Sequence, residues 1–142
     1  MEVAETASQV DVHRVLGEQV RGRKAAQLQR LAQQFRITVL DILHQKGTGH
    51  WGGAASAAEL LVWLYFDALN VRPEQPLWTD RDRLVVSKGH ASSMLYTVLA
   101  HRGFFPAEEL STFRQLNSRL QGHPSMRGKE PRTCGEDRRH VD

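Results

Sequence analysis

Cysteine and long apolar runs are nearly absent from this chain of 142 residues. The one cysteine, Cys134, cannot form a disulfide within the chain, and such sparse use is typical of a reducing compartment. No stretch approaches the roughly 18 consecutive apolar residues that a membrane-spanning helix requires. The N-terminus carries Glu2 and Glu5 and has no apolar segment of the signal-peptide kind. These absences predict a cytoplasmic protein that has no membrane partner.

Blocks of like charge are also missing. The net charge of +3, from 19 basic and 16 acidic residues, would suit a nucleic-acid-binding protein. However, the two signs are interleaved, as in Asp80-Arg81-Asp82-Arg83, and no five like charges adjoin one another. Aromatic and basic residues do not alternate as they do on a single-strand binding face. We therefore do not expect nucleic acid to be a partner.

The length fits one domain, and the 40% hydrophobic content is enough to build a core. From Lys24 onward, apolar residues recur at spacings of three and four, which predicts an amphipathic helix that ends near Lys46 and Gly47. Residues 1–22 form a polar arm with some helical character. The apolar positions of the helix are Leu28, Leu31, Ala32, Phe35, Val39, Ile42 and Leu43.

A glycine-rich stretch over residues 47–53 is predicted to be a loop. Ser56 followed by Glu59 matches a capping box, which predicts that a second helix opens there and runs to about Leu69. Residues 60–66 are apolar on nearly every side, so this helix should be covered on more than one face.

Residues 83–87 are the one convincing strand, short and apolar as in a buried parallel sheet. A third helix should follow this strand and stop at Gly103. Pro106 is predicted to be the first residue of a fourth helix, which buries a stripe of apolar side chains. That stripe consists of Leu110, Phe113 and Leu116.

The predicted fold class is α/β, with helices arranged around a single parallel strand. One parallel strand has no partner for its backbone groups, and leaving them buried and unpaired costs a few kcal/mol each, so the rest of the sheet is missing from this sequence. Residues 23–126 therefore read as the front part of a larger α/β domain. Residues 127–142 form a divergent polar tail, predicted to be disordered or loosely attached.

Each of three histidines directly follows a glycine at the edge of a predicted segment. Glycine permits sharp turns and close approach, and histidine suits proton transfer near neutral pH, so the pairs predict one polar pocket. Two other interpretations stay open at this point, namely ordinary loop histidines and a zinc site, although long separations and missing carboxylates count against zinc. The pairs are Gly49-His50, Gly89-His90 and Gly122-His123.

Four motifs, in order and at consistent spacing, resemble the N-terminal, thiamine-diphosphate-binding domain of transketolase. The resemblance covers about residues 28–126 and is closest to the split form, in which this domain is a separate polypeptide. Agreement at four places is far more specific than a lone glycine-rich motif. The motifs are Gly49-His50-Trp51-Gly52-Gly53, Ser56-Ala57-Ala58-Glu59-Leu60, the segment from Asp80 to Ala91, and Arg119-Leu120-Gln121-Gly122-His123-Pro124.

The resemblance implies an enzyme of the pentose phosphate type, a transferase that moves a two-carbon ketol unit between sugar phosphates. It implies thiamine diphosphate and Mg²⁺ as cofactors. His50 would contact substrate and assist proton transfer, and His123 would contact hydroxyl groups of the donor sugar. His90, with Gly89, would lie near the cofactor diphosphate and the reacting carbons, at a turn where free N–H groups suit an anion. All three histidines are thus the expected catalytic residues.

The sequence departs from the family pattern at two places. Trp51 stands where the family usually has proline, which could reshape the entry to the pocket. After Met126, the family's Gly-Asp-Gly strand and later asparagine, which hold the metal, do not appear. We interpret this as a truncated or frameshifted N-terminal part, expected to show no turnover alone.

By resemblance the partner would be a C-terminal transketolase subunit or a second protomer. The alternatives are a non-catalytic fragment that associates with a full-length subunit, or an unrelated helical binding module.

Overall fold

A computed structural model describes residues 12–124, and their side chains from residue 22 onward. The tail at 127–142, with Cys134, lies outside the described residues, and the arm at 1–22 is described only from residue 12 onward. The helices are α1 (Val12–Lys46), α2 (Trp51–Ala55), α3 (Ala58–Trp63) and α4 (Ser92–Arg102). A π-helical turn (Leu64–Ala68) extends α3, a 3-10 turn (Gly89–Ala91) leads into α4, and a 3-10 helix (Ala107–Thr112) follows it. Among these helices, none combines the length and apolar character needed to cross a membrane.

Helix α1 confirms the predicted periodicity, although it begins at Val12 and so includes part of the predicted arm. It ends as predicted at Lys46. Gly47 adopts a φ of 62°, and its N–H donates to the His44 carbonyl at 3.2 Å. This left-handed glycine is a common way to end a helix. The buried face of α1 consists of Ala32, Phe35, Val39, Ile42 and Leu43.

Helix α2 lies inside the glycine-rich stretch, so the prediction of a loop throughout residues 47–53 was wrong from Trp51 onward. The predicted capping box is also absent. Ala57 occupies the N-cap of α3, and the Ser56 hydroxyl donates to the Gly53 carbonyl at 3.2 Å. The Glu59 carboxylate instead accepts two hydrogen bonds from Arg36 of α1, at 2.6 and 2.5 Å. The Glu59 carboxylate therefore pairs with Arg36 of α1 and not with the N-cap backbone N–H that a capping box would use.

Helices α1 and α3 run antiparallel. The ion pair of Arg36 with Glu59 joins the beginning of α3 to the later part of α1, and Lys24 pairs with Asp67 in the following turn. One face of α3 is buried, but Leu60 is 58% exposed and Trp63 is 48% exposed. The expectation that this helix is covered on more than one side is not met by residues 22–124.

The predicted strand at residues 83–87 does not form; across residues 12–124 this segment contributes only an isolated β-bridge residue, Leu84. Leu84 and Val86 pack against the core, whereas Val85 is 57% exposed, so the segment is extended with one covered side. A strand requires a neighbour that accepts and donates its backbone hydrogen bonds. The described residues therefore contain no sheet, and the prediction of one parallel strand is not confirmed within them.

Helix α4 is the centre of the molecule, and residues 92–100 are all buried. It stops at Gly103, as predicted, with a φ of 99°. The predicted fourth helix is a 3-10 helix, and Pro106 precedes it as the N-cap. Leu110 and Phe113 are buried, which confirms two positions of the stripe, but Leu116 is 93% exposed, so that position was wrong.

Candidate functional site

Each of the three predicted histidines lies where a helix begins or just after a packed segment. His50 is the N-cap of α2 and follows Gly49, whose φ is 141°. His90 lies in the 3-10 turn that leads into α4. His123 follows the buried Leu120 by three residues. All three side chains are exposed, so they are accessible to a solute.

Folding brings the three rings into one row with His90 in the middle. The ring centroids of His50 and His90 are 4.2 Å apart and the rings are nearly perpendicular, at 88°. The centroids of His90 and His123 are 5.6 Å apart, at 80°. Edge-to-face rings at these separations are in contact. Residues from three separate parts of the chain thus form one imidazole cluster, which we call the histidine cluster (His50, His90 and His123).

Two glycines beside the histidine cluster leave little space for a side chain. A β-carbon on Gly89 would collide with the ring of His123, which is exposed and would have to move. A β-carbon on Gly53 would lie 2.9 Å from Cβ of His90 and 3.1 Å from its carbonyl oxygen. Sequence reasoning assigned Gly89 to the cofactor and gave Gly53 no part. The glycine-rich loop was the available signal, but only the tertiary contact shows which glycine is needed.

Hydrogen bonds connect the segments that carry the histidines. The Lys88 ammonium donates to the Ser56 hydroxyl at 2.7 Å, which connects the turn before His90 to the residue that follows α2. The Ser92 hydroxyl donates to the Gly122 carbonyl at 2.7 Å, which ties α4 to the segment of His123. Sequence reasoning missed Ser92, because nothing in the sequence relates it to a residue 30 positions away.

The donors of the cluster suit polar groups of a cofactor or a sugar. Neutral imidazoles can donate and accept hydrogen bonds, and Lys88 adds a positive charge beside Gly89. Residues 22–124 contain no group of three or more His, Cys, Asp or Glu side chains arranged to hold a metal ion.

A surface depression of about 370 Å³ lies elsewhere, on the segment that follows the 3-10 helix. None of the three histidines lines it, so we do not assign it to the histidine cluster. Its lining consists of Glu109, Thr112, Gln115, Leu116, Asn117, Ser118 and Arg119.

Comparison with known proteins matches residues 27–135 to the family described as "Transketolase, thiamine diphosphate binding domain". The chain is 42% identical over 110 residues to the 6-deoxy-6-sulfo-D-fructose transketolase subunit of Clostridium sp., which covers 78% of this chain and 38% of the relative. It is 40% identical over 97 residues to Transketolase 2 of Escherichia coli, covering 68% of this chain and 14% of that protein. An apulose-4-phosphate transketolase subunit of Phocaeicola vulgatus is 38% identical over 95 residues, covering 67% of this chain and 34% of the relative.

The chain thus matches only a part, between 14% and 38%, of the length of these relatives. Two of the three are subunits by name. The match nevertheless includes most of this chain, and it contains every residue of the histidine cluster. The chain belongs to the transketolase family, through its thiamine diphosphate binding domain.

Proposed function

We propose that this chain contributes the histidine side of a thiamine diphosphate site for ketol transfer between sugar phosphates. The observation that carries this proposal is the convergence of three exposed imidazoles, with centroids 4.2 and 5.6 Å apart, from three separate segments. Such a row can contact several hydroxyl groups of one sugar at once. It can also donate or accept protons near neutral pH.

In this proposal His90 and Gly89 bind the cofactor, and the outer histidines His50 and His123 bind the hydroxyl groups of the substrate. The bound cofactor would supply an electron sink for carbon–carbon bond cleavage. The imidazoles would orient the sugar and move protons at its oxygen atoms. Mg²⁺ belongs to the family's chemistry, but no step is assigned to it, because the described residues do not hold it.

Trp51 sets the shape of the entrance in this proposal. It is the first residue of α2, directly after His50, and it is 39% exposed. A proline would leave this position narrow and rigid, whereas an indole adds a large apolar surface beside the first histidine. We propose that Trp51 restricts which sugars approach His50.

Nuclear magnetic resonance of histidine-labelled protein tests the cofactor assignment. On addition of thiamine diphosphate with Mg²⁺, the ring signals of His50, His90 and His123 should shift together, with an affinity weaker than micromolar. His44 and His101 serve as internal controls, and thiamine without its diphosphate is the ligand control. Equal shifts for all histidines, or none at saturating ligand, would contradict the assignment. The same samples are assayed for ketol transfer, and turnover by the chain alone would contradict the prediction of inactivity.

A second candidate is a non-catalytic role in association with a full-length transketolase subunit. The apolar side chains left exposed by α1 and α3 favour it, because large exposed apolar areas mark protein contacts. Ile37 is 61% exposed and Leu40 is 51% exposed, on the helix that also pairs with α3. Complex formation without cofactor, measured by sedimentation with an intact transketolase subunit, would support this role. Absence of a complex at micromolar concentrations would count against it.

A further inference from the structure

Three segments carry the histidines, namely residues 48–56 (the first), 88–92 (the second) and 120–123 (the third), and they are joined in pairs. The first and second segments are joined by Lys88 and Ser56, and the second and third by Ser92 and Gly122. The remaining pair, first and third, is joined by Arg114, a residue that belongs to neither segment. Its Nη1 donates to the hydroxyl of Thr48 at 3.0 Å, across 66 positions of sequence.

The Arg114 side chain also lies beside the third segment. Its Nε is 3.3 Å from the position that a β-carbon on Gly122 would occupy, and its Cζ is 3.7 Å from that position. Gly122 directly precedes His123, and Thr48 lies two residues before His50. The guanidinium is therefore close to the segments of both outer histidines.

The backbone of Arg114 is held in an uncommon conformation. Its φ is 59°, in the left-handed region, which is unfavourable for a residue other than glycine. Its N–H donates to the Leu120 carbonyl at 2.8 Å, which closes the chain reversal between the 3-10 helix and the third segment. This reversal directs the side chain back toward Thr48. A long side chain with a charged donor at its end suits the position, because it can reach the Thr48 hydroxyl from this reversal.

We propose that Arg114 is a positioning residue that fixes the first and third segments relative to each other, so that His50 and His123 both face His90. Any effect of Arg114 on ketol transfer rests on the proposed function. Its effect on the arrangement of the two segments rests only on the contacts described above. Arg114 touches no reacting atom in this arrangement and is therefore not a catalytic residue. Lys88 and Ser92 connect the other two pairs of segments in the same way. Loss of Arg114 therefore removes the connection between the first and third segments and leaves the other two in place.

The test compares Arg114→Ala, Arg114→Lys and Thr48→Val in the full chain labelled at histidine and phenylalanine. Cross-relaxation between ring protons reports the His50–His90 and His90–His123 contacts. The Phe35–His101 contact, with centroids 4.6 Å apart, is the reference in the same spectrum because it lies away from the cluster. We expect Arg114→Ala to lose one or both cluster cross-peaks while the reference persists. Arg114→Lys, which keeps a charged donor at the same backbone position, should retain them.

Alanine and lysine place the same β-carbon at the left-handed position, so their difference isolates the end of the side chain. Gln115→Ala, which changes the neighbouring exposed residue, is the matched control and should leave every cross-peak in place. Should Arg114→Ala also lose the reference contact, Thr48→Val decides the outcome, because it removes only the exposed acceptor. Persistence of both cluster cross-peaks in the deciding variant overturns the proposal.

Addition of thiamine diphosphate to the unmodified chain separates this proposal from the proposed function. Loss of a cluster contact in Arg114→Ala, with no response of the unmodified histidines to the cofactor, would support the positioning role and contradict the cofactor assignment. A cofactor response together with unchanged ring contacts in the variants would support the assignment and overturn the positioning role.

Discussion

Gly53 and Gly89 lie where segments of the chain approach each other beside the histidine cluster, and neither has a positive φ. What they contribute is the absence of a side chain. Any β-carbon on Gly53 meets both the side chain and the backbone of His90, and backbone cannot move aside as a flexible side chain can. Glycine at this position therefore sets how closely α2 approaches the turn of His90.

A pair of substitutions within α2 tests this requirement. Gly53→Ala should destabilise the fold by about 1–3 kcal/mol, because the added methyl group overfills the contact with His90. Gly52→Ala is the matched control, since nothing lies within 4 Å of its added β-carbon. It should be neutral or stabilise by up to about 1 kcal/mol, through the better helix propensity of alanine. Urea unfolding measures both, and equal effects would contradict the steric explanation.

Arg36 connects three parts of the molecule through charge. Its guanidinium donates to the Ala55 carbonyl at the end of α2, at 3.1 and 2.9 Å, as well as to the Glu59 carboxylate. The hydrogen bonds from Arg36, then a hydrogen bond from the Glu59 backbone, and last the Arg36 charge hold the pKa of Glu59 below its ordinary value, although desolvation acts in the opposite direction. The ionised form of Glu59 is therefore stabilised by folding.

This lowered pKa gives stability a definite pH dependence. A depressed folded-state pKa contributes stability that is fully present above the unfolded value, about 4.3, and that is lost as pH falls through the folded value. We expect Glu59→Gln to cost about 0.5 kcal/mol at pH 7, because the Glu59 side chain is 56% exposed and solvent weakens the pair. The difference from the unmodified protein should shrink below about pH 4. Urea unfolding across this pH range measures the difference, and Glu108→Gln is the control for a lost surface carboxylate. A difference between Glu59→Gln and the unmodified protein that does not change with pH would contradict a stabilising role of the Arg36–Glu59 pair.

At the scale of elements, helix ends followed the sequence more closely than helix beginnings. The ends of α1 and α4 coincide with Gly47 and Gly103, and both adopt a positive φ that glycine accommodates without strain. The beginning of α3 was predicted from the Ser56 and Glu59 pattern. It differs because both side chains have partners from other parts of the chain, which a local pattern cannot reveal.

In the 3-10 helix after α4, only the first two residues of the predicted stripe Leu110, Phe113 and Leu116 are buried. The 3-10 helix ends at Thr112, Phe113 is extended at a ψ of 127°, and Arg114 has a positive φ. The helical periodicity that would place Leu116 beneath Leu110 and Phe113 therefore ends before it reaches Leu116. The sequence spacing of three was correct, but the backbone reverses.

A comparison of two leucines tests this difference in environment. Leu110→Ala should destabilise the fold by about 2–5 kcal/mol, because it leaves a cavity beneath the 3-10 helix. Leu116→Ala should change stability by no more than about 0.5 kcal/mol, since its side chain is 93% exposed. Urea unfolding distinguishes them, and a large effect of Leu116→Ala would show that this side chain is covered in solution.

At the scale of the whole molecule, the described residues bury one core and leave apolar area on the side of α1 and α3. Tyr65, Tyr96 and Leu99 are at most 2% exposed, so the core itself is closed. Of the eight large apolar residues in the described part of the chain that remain at least one-third exposed, four lie on α1 and α3, namely Ile37, Leu40, Leu60 and Trp63, and the others are Trp51, Leu77, Val85 and Leu116. Single exposed apolar residues are ordinary, so the prediction of association rests on the four that lie on the two paired helices.

Association should therefore depend on these helices. We expect the purified chain to self-associate with increasing concentration, and Leu60→Glu with Trp63→Glu to reduce this association, because burying an unpaired carboxylate opposes contact. Leu116→Glu with Gln115→Glu is the control, since it adds the same two negative charges at exposed positions away from α3. Sedimentation velocity over a range of concentrations measures the effect, and equal behaviour of both variants would exclude α3 as the contact.

Features of this fold that depend on neighbouring residues in the chain could be predicted from the amino-acid sequence alone. The periodic apolar face of α1, its glycine stop, the course of α4 and the family to which the motifs belong all follow from residue type and spacing. The three histidines that meet in the cluster could likewise be selected from the sequence, because each directly follows a glycine.

Features that depend on contacts between residues far apart in the chain could be recognised only in the folded structure. A strand at residues 83–87 needs a neighbour to complete its hydrogen bonds, and none is formed by residues 12–124, so the apolar pattern did not become a strand. The row of histidines, the steric need for Gly53 and the contact of Arg114 with Thr48 arise between residues far apart in the chain. Such contacts reflect packing of whole elements, and no local pattern encodes the distance between them.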